Sequence, residues 1–522
     1  MSTARKTSFT ASLSAGAAAL AMLSGLPAAH AGDLQANQQL LDQRIDQLAA
    51  VTNNVGPTRP FSDDMNKNAG QPVTAGSFPR SILIPGTDTS IKIYGQMTLI
   101  MDYFMSGGPP NSSPNSSTIG PTGNLEGIPL RETTARARSN GIFQMVPRES
   151  KIGFETRTPT PFGEARTLME FDWNGGGSYV PGGGAPQQVS DSLVPRLRYA
   201  YGTLGGFLAG QANSNFEDPD ANPETLDFGG DAGVPGVVRQ PQIRWTMPTW
   251  WGSSLSVSAE SPETSIATAS GLIANDAGVS SAAVSPGTNN CTVSGVIATC
   301  SVGSVFTVNP TKATAPDFTA AWYMPQPWGH VDISGVIRPG LDFTDGKYID
   351  KQYIGYGGHI GADFKPGWFG WAKDDIVAQF TAGDGIGRYM NASLSPSLAT
   401  NFGAPGKYGN TLTTGAAAGA AGAASILVKP VTEMGYVVGY QHWWMPNLRS
   451  NISGGFDNFA IQSALASKTG FNKQLITAHA NLIWNPVPAV DVGLEYTWGQ
   501  RTALTNASAT QNVLISKFAF RF

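Results

Sequence analysis

Along the final stretch of the chain, Asn512–Phe522 (NVLISKFAFRF), apolar and polar positions alternate: Phe518, Phe520 and Phe522 fall on one face, and Lys517, Ala519 and Arg521 on the other. Period-two alternation is the signature of a strand with two different faces. In a soluble sheet the aromatic stripe would need a second layer to cover it. In a transmembrane barrel lipid covers the stripe, and the charged face looks into a wet lumen.

Fifteen further segments alternate in the same way: Ile91–Phe104, Ser150–Thr158, Gly163–Trp173, Leu193–Thr203, Phe207–Phe216, Val238–Met247, Ser254–Ser261, Asp317–Met324, His330–Phe343, Tyr353–Phe364, Asp375–Gly383, Thr432–Trp444, Arg449–Ile461, Gln474–Trp484 and Val490–Arg501. In the first, Ile91, Ile93, Met97 and Leu99 point one way, and Lys92, Gln96, Thr98 and Asp102 the other. Short turns such as Thr160-Pro161-Phe162 and Leu204-Gly205-Gly206 alternate with long loops: Met105–Val146, Asn174–Ser192, Glu217–Val237, Glu263–Pro316, Thr344–Gln352, Asp384–Pro430, Gln462–Lys473 and Thr502–Gln511. That rhythm predicts an all-β, sixteen-stranded antiparallel transmembrane barrel over residues 84–522, with tight turns and both chain ends on one side. Tyr103, Trp173, Trp245, Trp250, Trp251, Trp368, Trp371, Trp443, Trp444, Trp484 and Trp498 lie near strand ends, where interface girdles belong.

The segments before the barrel have a different character. Arg5 and Lys6, an uncharged run from Ala11 to Leu26 and the Ala29-His30-Ala31 site read as a secretory signal over residues 1–31. Leu34, Gln38, Leu41, Ile45, Leu48, Thr52 and Val55 then step by four and three, which predicts a coiled-coil helix over 32–55, in the periplasm. A lone amphipathic helix or an unstructured tail is the other reading, because three heptads are few. Residues 56–83 form a polar linker containing proline.

A charged fraction of 13% and 62 glycines suit strands and turns better than compact soluble cores. Past the signal no apolar run is long enough for a spanning helix. The net charge of −4 argues against a nucleic-acid partner and leaves pore selectivity to the placement of charges. Cys291 and Cys300 sit in a Ser/Gly/Asn-rich segment, and in an exported chain they are expected to form a disulfide closing a surface loop. A metal site would need His or Cys neighbours there, so none is expected, and no cofactor is implied.

A sixteen-stranded barrel leaves an aqueous channel, so the candidate chemistry is the charge on its lining. The inward phases carry Lys151, Glu155 and Arg157; Arg166, Glu170 and Asp172; Arg196 and Arg198; Gln240, Gln242 and Arg244; Asp332 and Arg338; and Asp491, Glu495 and Arg501. Pro147 disturbs the alternation and leaves the facing of Arg148 open. Against this basic stretch stands Glu217–Asp231, with Glu217, Asp218, Asp220, Glu224, Asp227 and Asp231 and no base. If that loop folds inward, its acids (constriction candidates Asp218, Asp220, Glu224 and Asp227) would oppose an arginine wall able to offer forked bonds to carboxylates. The bland reading is that inward Arg–Glu pairs merely neutralise each other and stiffen the wall. The acidic spacing matches no EF-hand. No G-x-S-x-G, H-E-x-x-H or P-loop is present, and His330, His359, His442 and His479 are scattered among strands, so catalysis is not expected.

Arg148–Gly176 (RESKIGFETRTPTPFGEARTLMEFDWNGG), Pro195–Gly230 with VVRQPQIRWT, Leu482–Arg501 (LIWNPVPAVDVGLEYTWGQR), IPGTDTSIKIYGQ and the Phe-ended last strand resemble blocks of the DcaP-like outer-membrane porins. The resemblance implies a homotrimer in the bacterial outer membrane, among lipid and lipopolysaccharide, with a periplasmic coiled coil. It implies passage of small anionic solutes such as dicarboxylates. By position in the matching blocks, Arg196, Arg198, Arg239 and Arg244 carry over as basic lining, with Arg157 and Arg166 after them. The loops Glu263–Pro316 and Asp384–Pro430 depart from the family and would sit at the mouth. A general non-selective porin, and a structural or adhesive barrel acting through those loops, remain the alternatives.

Overall fold

In the computed structural model, the described residues are 75–109, 125, 128–130, 137–175, 194–233, 235, 238–263, 266–268, 271–273, 290–294, 297–301, 311–344, 350–368, 372–390, 397–400, 427–461 and 472–522. The expected signal, the coiled-coil helix, most of the linker and Trp371 lie outside them.

Sixteen antiparallel strands close on themselves. In chain order they are β1 (Ser90–Ser106), β2 (Ile142–Val146 and Lys151–Thr160), β3 (Gly163–Gly175), β4 (Val194–Leu204), β5 (Phe207–Asn213), β6 (Arg239–Pro248), β7 (Ser254–Glu260) and β8 (Asp317–Gln326). The second half comprises β9 (Gly329–Thr344), β10 (Asp350–Phe364), β11 (Asp375–Asp384), β12 (Thr432–Met445), β13 (Leu448–Ala460), β14 (Asn472–Val487), β15 (Val490–Ala503) and β16 (Ser508–Arg521). Each strand pairs with the next, and β16 closes the ring on β1, with Gln96 opposite Arg521 and Phe104 opposite Val513. Closure leaves no strand edge unpaired, which the interior of a bilayer requires.

The predicted segments differ from the strands in two places, each with a local cause. Proline has no amide to donate, so Pro147 interrupts β2. The chain resumes pairing on both sides of it, Ile142–Val146 against Ile100–Phe104 and Lys151–Arg157 against Gln96–Ser90. Ile142–Val146 is therefore wall rather than loop. β5 stops at Asn213 instead of running to Phe216, because the chain turns into the lumen at Ser214.

The alternation sorts by environment as anticipated. Ile93, Met97, Tyr103, Phe143, Ile243, Ile337, Ile452, Leu494 and Phe520 are exposed on the outer face, whereas Thr98, Asp102, Glu170, Asp332, Asp457 and Glu495 are buried inside. Phe522 exchanges backbone hydrogen bonds with Gly95, at 3.1 and 3.3 Å, and its ring covers the space a side chain there would need. Of the girdle candidates, Trp173, Trp245, Trp250, Trp251, Trp368, Trp444 and Trp484 are exposed. Trp443 is not among them. It faces inward at the turn-side mouth, with Lys373 at 5.0 Å and Arg449 at 5.3 Å from its ring.

Outside the barrel, residues 290–294 and 297–301 form an antiparallel hairpin in which Cys291 lies directly opposite Cys300. Directly opposed antiparallel positions bring Cα atoms to about 4.5–5.5 Å, within disulfide range. Alkylating the denatured, unreduced protein should therefore label neither cysteine, and reduction first should add two labels; labelling without reduction would refute the bridge.

Candidate functional site

Three loop segments enter the lumen. The most extensive, residues 214–233 between β5 and β6, crosses from one wall to the other. Its start is fixed by Glu260, which accepts from the Ser214 hydroxyl at 2.7 Å and the Asn215 amide at 2.8 Å. Asp218 then meets His330 at 2.7 Å, and Asn222 accepts from Gln379 at 2.8 Å. Glu224 takes a forked bond from Arg449, at 2.5 and 2.6 Å. Glu495 accepts from the amides of Leu226 (2.6 Å) and Asp227 (3.2 Å), and Asp231 accepts from Ser453 at 2.7 Å. Leu226 adds an apolar anchor among Ile100, Phe104, Ile142, Ile483, Val513 and Ile515.

Thus the acidic loop folds inward, and its acids divide: Asp218, Glu224 and Asp231 are turned to the far wall, β9 to β15, whereas Glu217 and Asp220 line the cavity that the arginines share. The reason is local supply: the basic and hydroxyl partners His330, Arg449, Ser453 and Thr477 stand where the loop lands. Asp227 caps its own turn, accepting from the Gly229 amide at 2.8 Å. Asp220 is the one of the four candidates that lines the main cavity. Burial pushes the Glu217 carboxyl up to about 8. Burial also raises Asp231, against the pull of His479 at 3.6 Å.

Two further segments narrow the lumen. Residues 385–390, after β11, place Tyr389 against Phe216 (5.4 Å between rings) and its hydroxyl on Asp317 at 2.9 Å. Leu125 and Ile128, from the loop after β1, pack against Phe459 and Leu475, and Arg501 donates to the Ile128 carbonyl at 2.7 Å.

The basic wall lies on β1 to β6. Arg196 forks onto Asp172 at 2.5 and 3.0 Å. Arg198 bridges Glu170 (2.7 Å) and Asp172 (2.8 Å). Arg157 and Arg166 share Glu155, at 2.8 and 2.9 Å, and Arg157 also stacks on Phe78 at 4.5 Å. Lys151 stands 3.9 Å from Glu170. Arg239 makes no ion pair among the described residues; it stacks on Tyr199 at 5.0 Å. A cavity of about 520 Å³ lies against this wall, lined by Lys92, Lys151, Arg157, Arg166 and Arg244 together with Glu155, Glu170, Glu217, Asp220 and Asp332, and by Tyr94, Tyr199, Tyr201 and Tyr323; Arg196, Arg198 and Arg239 are not in its lining.

Both tyrosines of β4 reach the lumen because of a bulge. Register shifts where Glu170 faces Tyr199 but Phe171 faces Leu197, so Arg198 and Tyr199 both turn inward. Strict alternation hides such a shift. Arg449 and Trp443, which hold the loop at a second cavity by the turn-side mouth, were also outside the predicted lining. Their signal was present in the inward phase of β12 and β13. Arg338 is inward as predicted but fully buried beneath the loops, on Asp317 at 2.9 Å.

A closed sixteen-stranded barrel, an apolar belt and a polar lumen narrowed by an inward loop define an outer-membrane barrel of the porin type. Residues 431–519 match the model of the DcaP outer membrane protein family, so the resemblance drawn from the sequence holds over that stretch. No curated protein matches the chain. Among solved structures, the outer membrane channel DcaP of Acinetobacter baumannii is similar at a TM-score of 0.58 and 19% identity, over 83% of this chain and 97% of that one. An anion-selective porin from Comamonas acidovorans aligns at 0.46 and 7% identity, covering 83% and 100%. The trimer form of OmpT from Vibrio cholerae aligns at 0.41 and 8% identity, covering 83% and 99%.

Proposed function

We propose that the protein is a homotrimeric outer-membrane diffusion channel for small hydrophilic solutes that favours anions, dicarboxylates among them, and carries a periplasmic N-terminal helix. The observation that carries the anion preference is the unbalanced lining of β1 to β6. Lys92, Lys151, Arg157, Arg166, Arg196, Arg198, Arg239 and Arg244 stand there against Asp102, Glu155, Glu164, Glu170 and Asp172. At the loop, burial pushes the Glu217 carboxyl up to about 8, which lessens its opposing charge and leaves Asp220 as the other acid that the loop sets against the cavity. A surplus of fixed cations at a narrow place raises the local anion concentration.

The test is bilayer conductance of the purified protein across a KCl gradient, with succinate then added. An anion-leaning reversal potential, three-step closures and current block by succinate are expected. The double charge reversal Lys92→Glu with Arg239→Glu, at two cations without a carboxylate partner among the described residues, should move the reversal potential toward cations. Conductance without preference would identify a general porin whose arginines are spent on Glu155, Glu170 and Asp172. A closed barrel would favour an adhesive role for the long loops.

A further inference from the structure

Four arginines of the basic wall spend their in-plane donors on carboxylates: Arg196 on Asp172, Arg198 on Glu170 and Asp172, and Arg157 and Arg166 on Glu155. Arg239 does not. Its half-buried guanidinium lies over the ring of Tyr199, 5.0 Å from the centroid, and its Nε has no hydrogen-bond partner among the described residues. A carboxylate is nonetheless at hand. Glu217 accepts through Oε2, at 2.9 Å, from the amide of Val238, the residue before Arg239. Its Oε1 is buried without a hydrogen-bond partner among the described residues. Arg239 is also the foremost cation acting on that carboxyl, ahead of Arg244. An open donor and an open acceptor thus lie within electrostatic reach of each other and are not joined.

The two arrangements open to Arg239 differ in what they leave for a solute. A guanidinium stacked on an aromatic ring uses its face, and its N–H donors still point outward in its own plane. A guanidinium forked onto a carboxylate has spent those donors, and its charge is cancelled. Tyr199 can offer its ring because of the bulge in β4, where the register passes from Glu170–Tyr199 to Phe171–Leu197 and both Arg198 and Tyr199 turn inward. Unbroken alternation would send one of them to the lipid face. The Tyr199 hydroxyl donates to the Asn213 side chain at 3.0 Å, and Asn213 is the cross-strand partner of Arg239. The ring is therefore tethered beside the strand end that carries the arginine. Arg239 opens β6 at its long-loop end, so an anion entering from that side meets it before the cavity-lining Arg244 of the same strand.

We propose that Tyr199 is a positioning residue for charge selection: its ring holds Arg239 off Glu217 and presents the guanidinium to anionic solutes. Arg239 is then a specificity-determining cation, and the β4 bulge is part of the device that keeps it unspent. This deepens the anion-preferring reading above and rests on it.

The test is the reversal potential of the purified protein and its variants across a KCl gradient. Tyr199→Leu removes the ring and should lower the chloride-to-potassium permeability ratio roughly twofold relative to the parent. Tyr199→Phe keeps the ring and should stay near the parent. Glu217→Gln should raise the ratio more in the Tyr199→Leu background, where it frees Arg239, than in the parent, where burial already holds the carboxyl up at about 8. The parent's own ratio tests the anion preference, and the differences among variants test Tyr199, so each can fail separately. An unchanged ratio in Tyr199→Leu, or equal effects of Glu217→Gln in both backgrounds, would overturn the proposal. So would a Tyr199→Phe channel whose ratio has fallen roughly twofold, a result that needs only the conservative variant to fold.

Discussion

Deleting residues 218–230 should raise the single-channel conductance at least about twofold, since the narrowest section of a pore dominates its resistance. This loop spans the lumen from Glu260 on β7 to Glu495 on β15 and lines both cavities, one through Pro219 and Asp220 and the other through Glu224. The barrel itself should survive, because closure rests on strand pairing and on the β16–β1 seam, neither of which uses the loop. Heat-modifiable migration on gels would confirm a folded barrel. A milder route to the same end is Gly435→Val, whose side chain would occupy the place of the Gly233 carbonyl and lift the loop off the wall. Unchanged conductance in both variants would place the constriction at Tyr389 and residues 385–390 instead.

Replacing Arg338 by methionine should destabilise the barrel by about 3–5 kcal/mol, the usual cost of stranding one member of a buried ion pair. The guanidinium is fully buried and bridges the β8 wall, through Asp317, to the loop carbonyl of Gly385 and to Ser397. Among the described residues, its loss leaves the Asp317 carboxylate with the Tyr389 hydroxyl as its remaining side-chain hydrogen bond. Urea or thermal unfolding in detergent measures the cost. Arg338→Met combined with Asp317→Leu should recover part of it, because no charge is then left without a counterion. A single variant as stable as the parent would show that water reaches Asp317.

The two variants probe different kinds of information. Strand number, facing and the turn-and-loop rhythm follow from local alternation, because a lipid-covered outer face and a wet inner face impose a two-residue period on every strand. The corrections come where one residue breaks that period. Pro147 splits β2, and the bulge at Arg198 brings Tyr199 inward beside it.

What the lining does with its charges was outside the reach of periodicity. The pattern places Arg166, Glu155, Arg198 and Asp172 on the inner face, but whether they pair or stand free depends on the register between strands. Register brings Arg157 opposite Arg166 and Lys151 opposite Asp172. Likewise, the run of acids from Glu217 to Asp231 marks an unusual loop. Only the folded barrel, by setting His330, Arg449, Ser453 and Thr477 around its landing places, decides that those acids serve as anchors. Alternation is a property of one strand against its solvent, and so the sequence by itself determined the barrel. Charge pairing and the route of the loop are properties of residues far apart in the chain, and only the tertiary structure decided them.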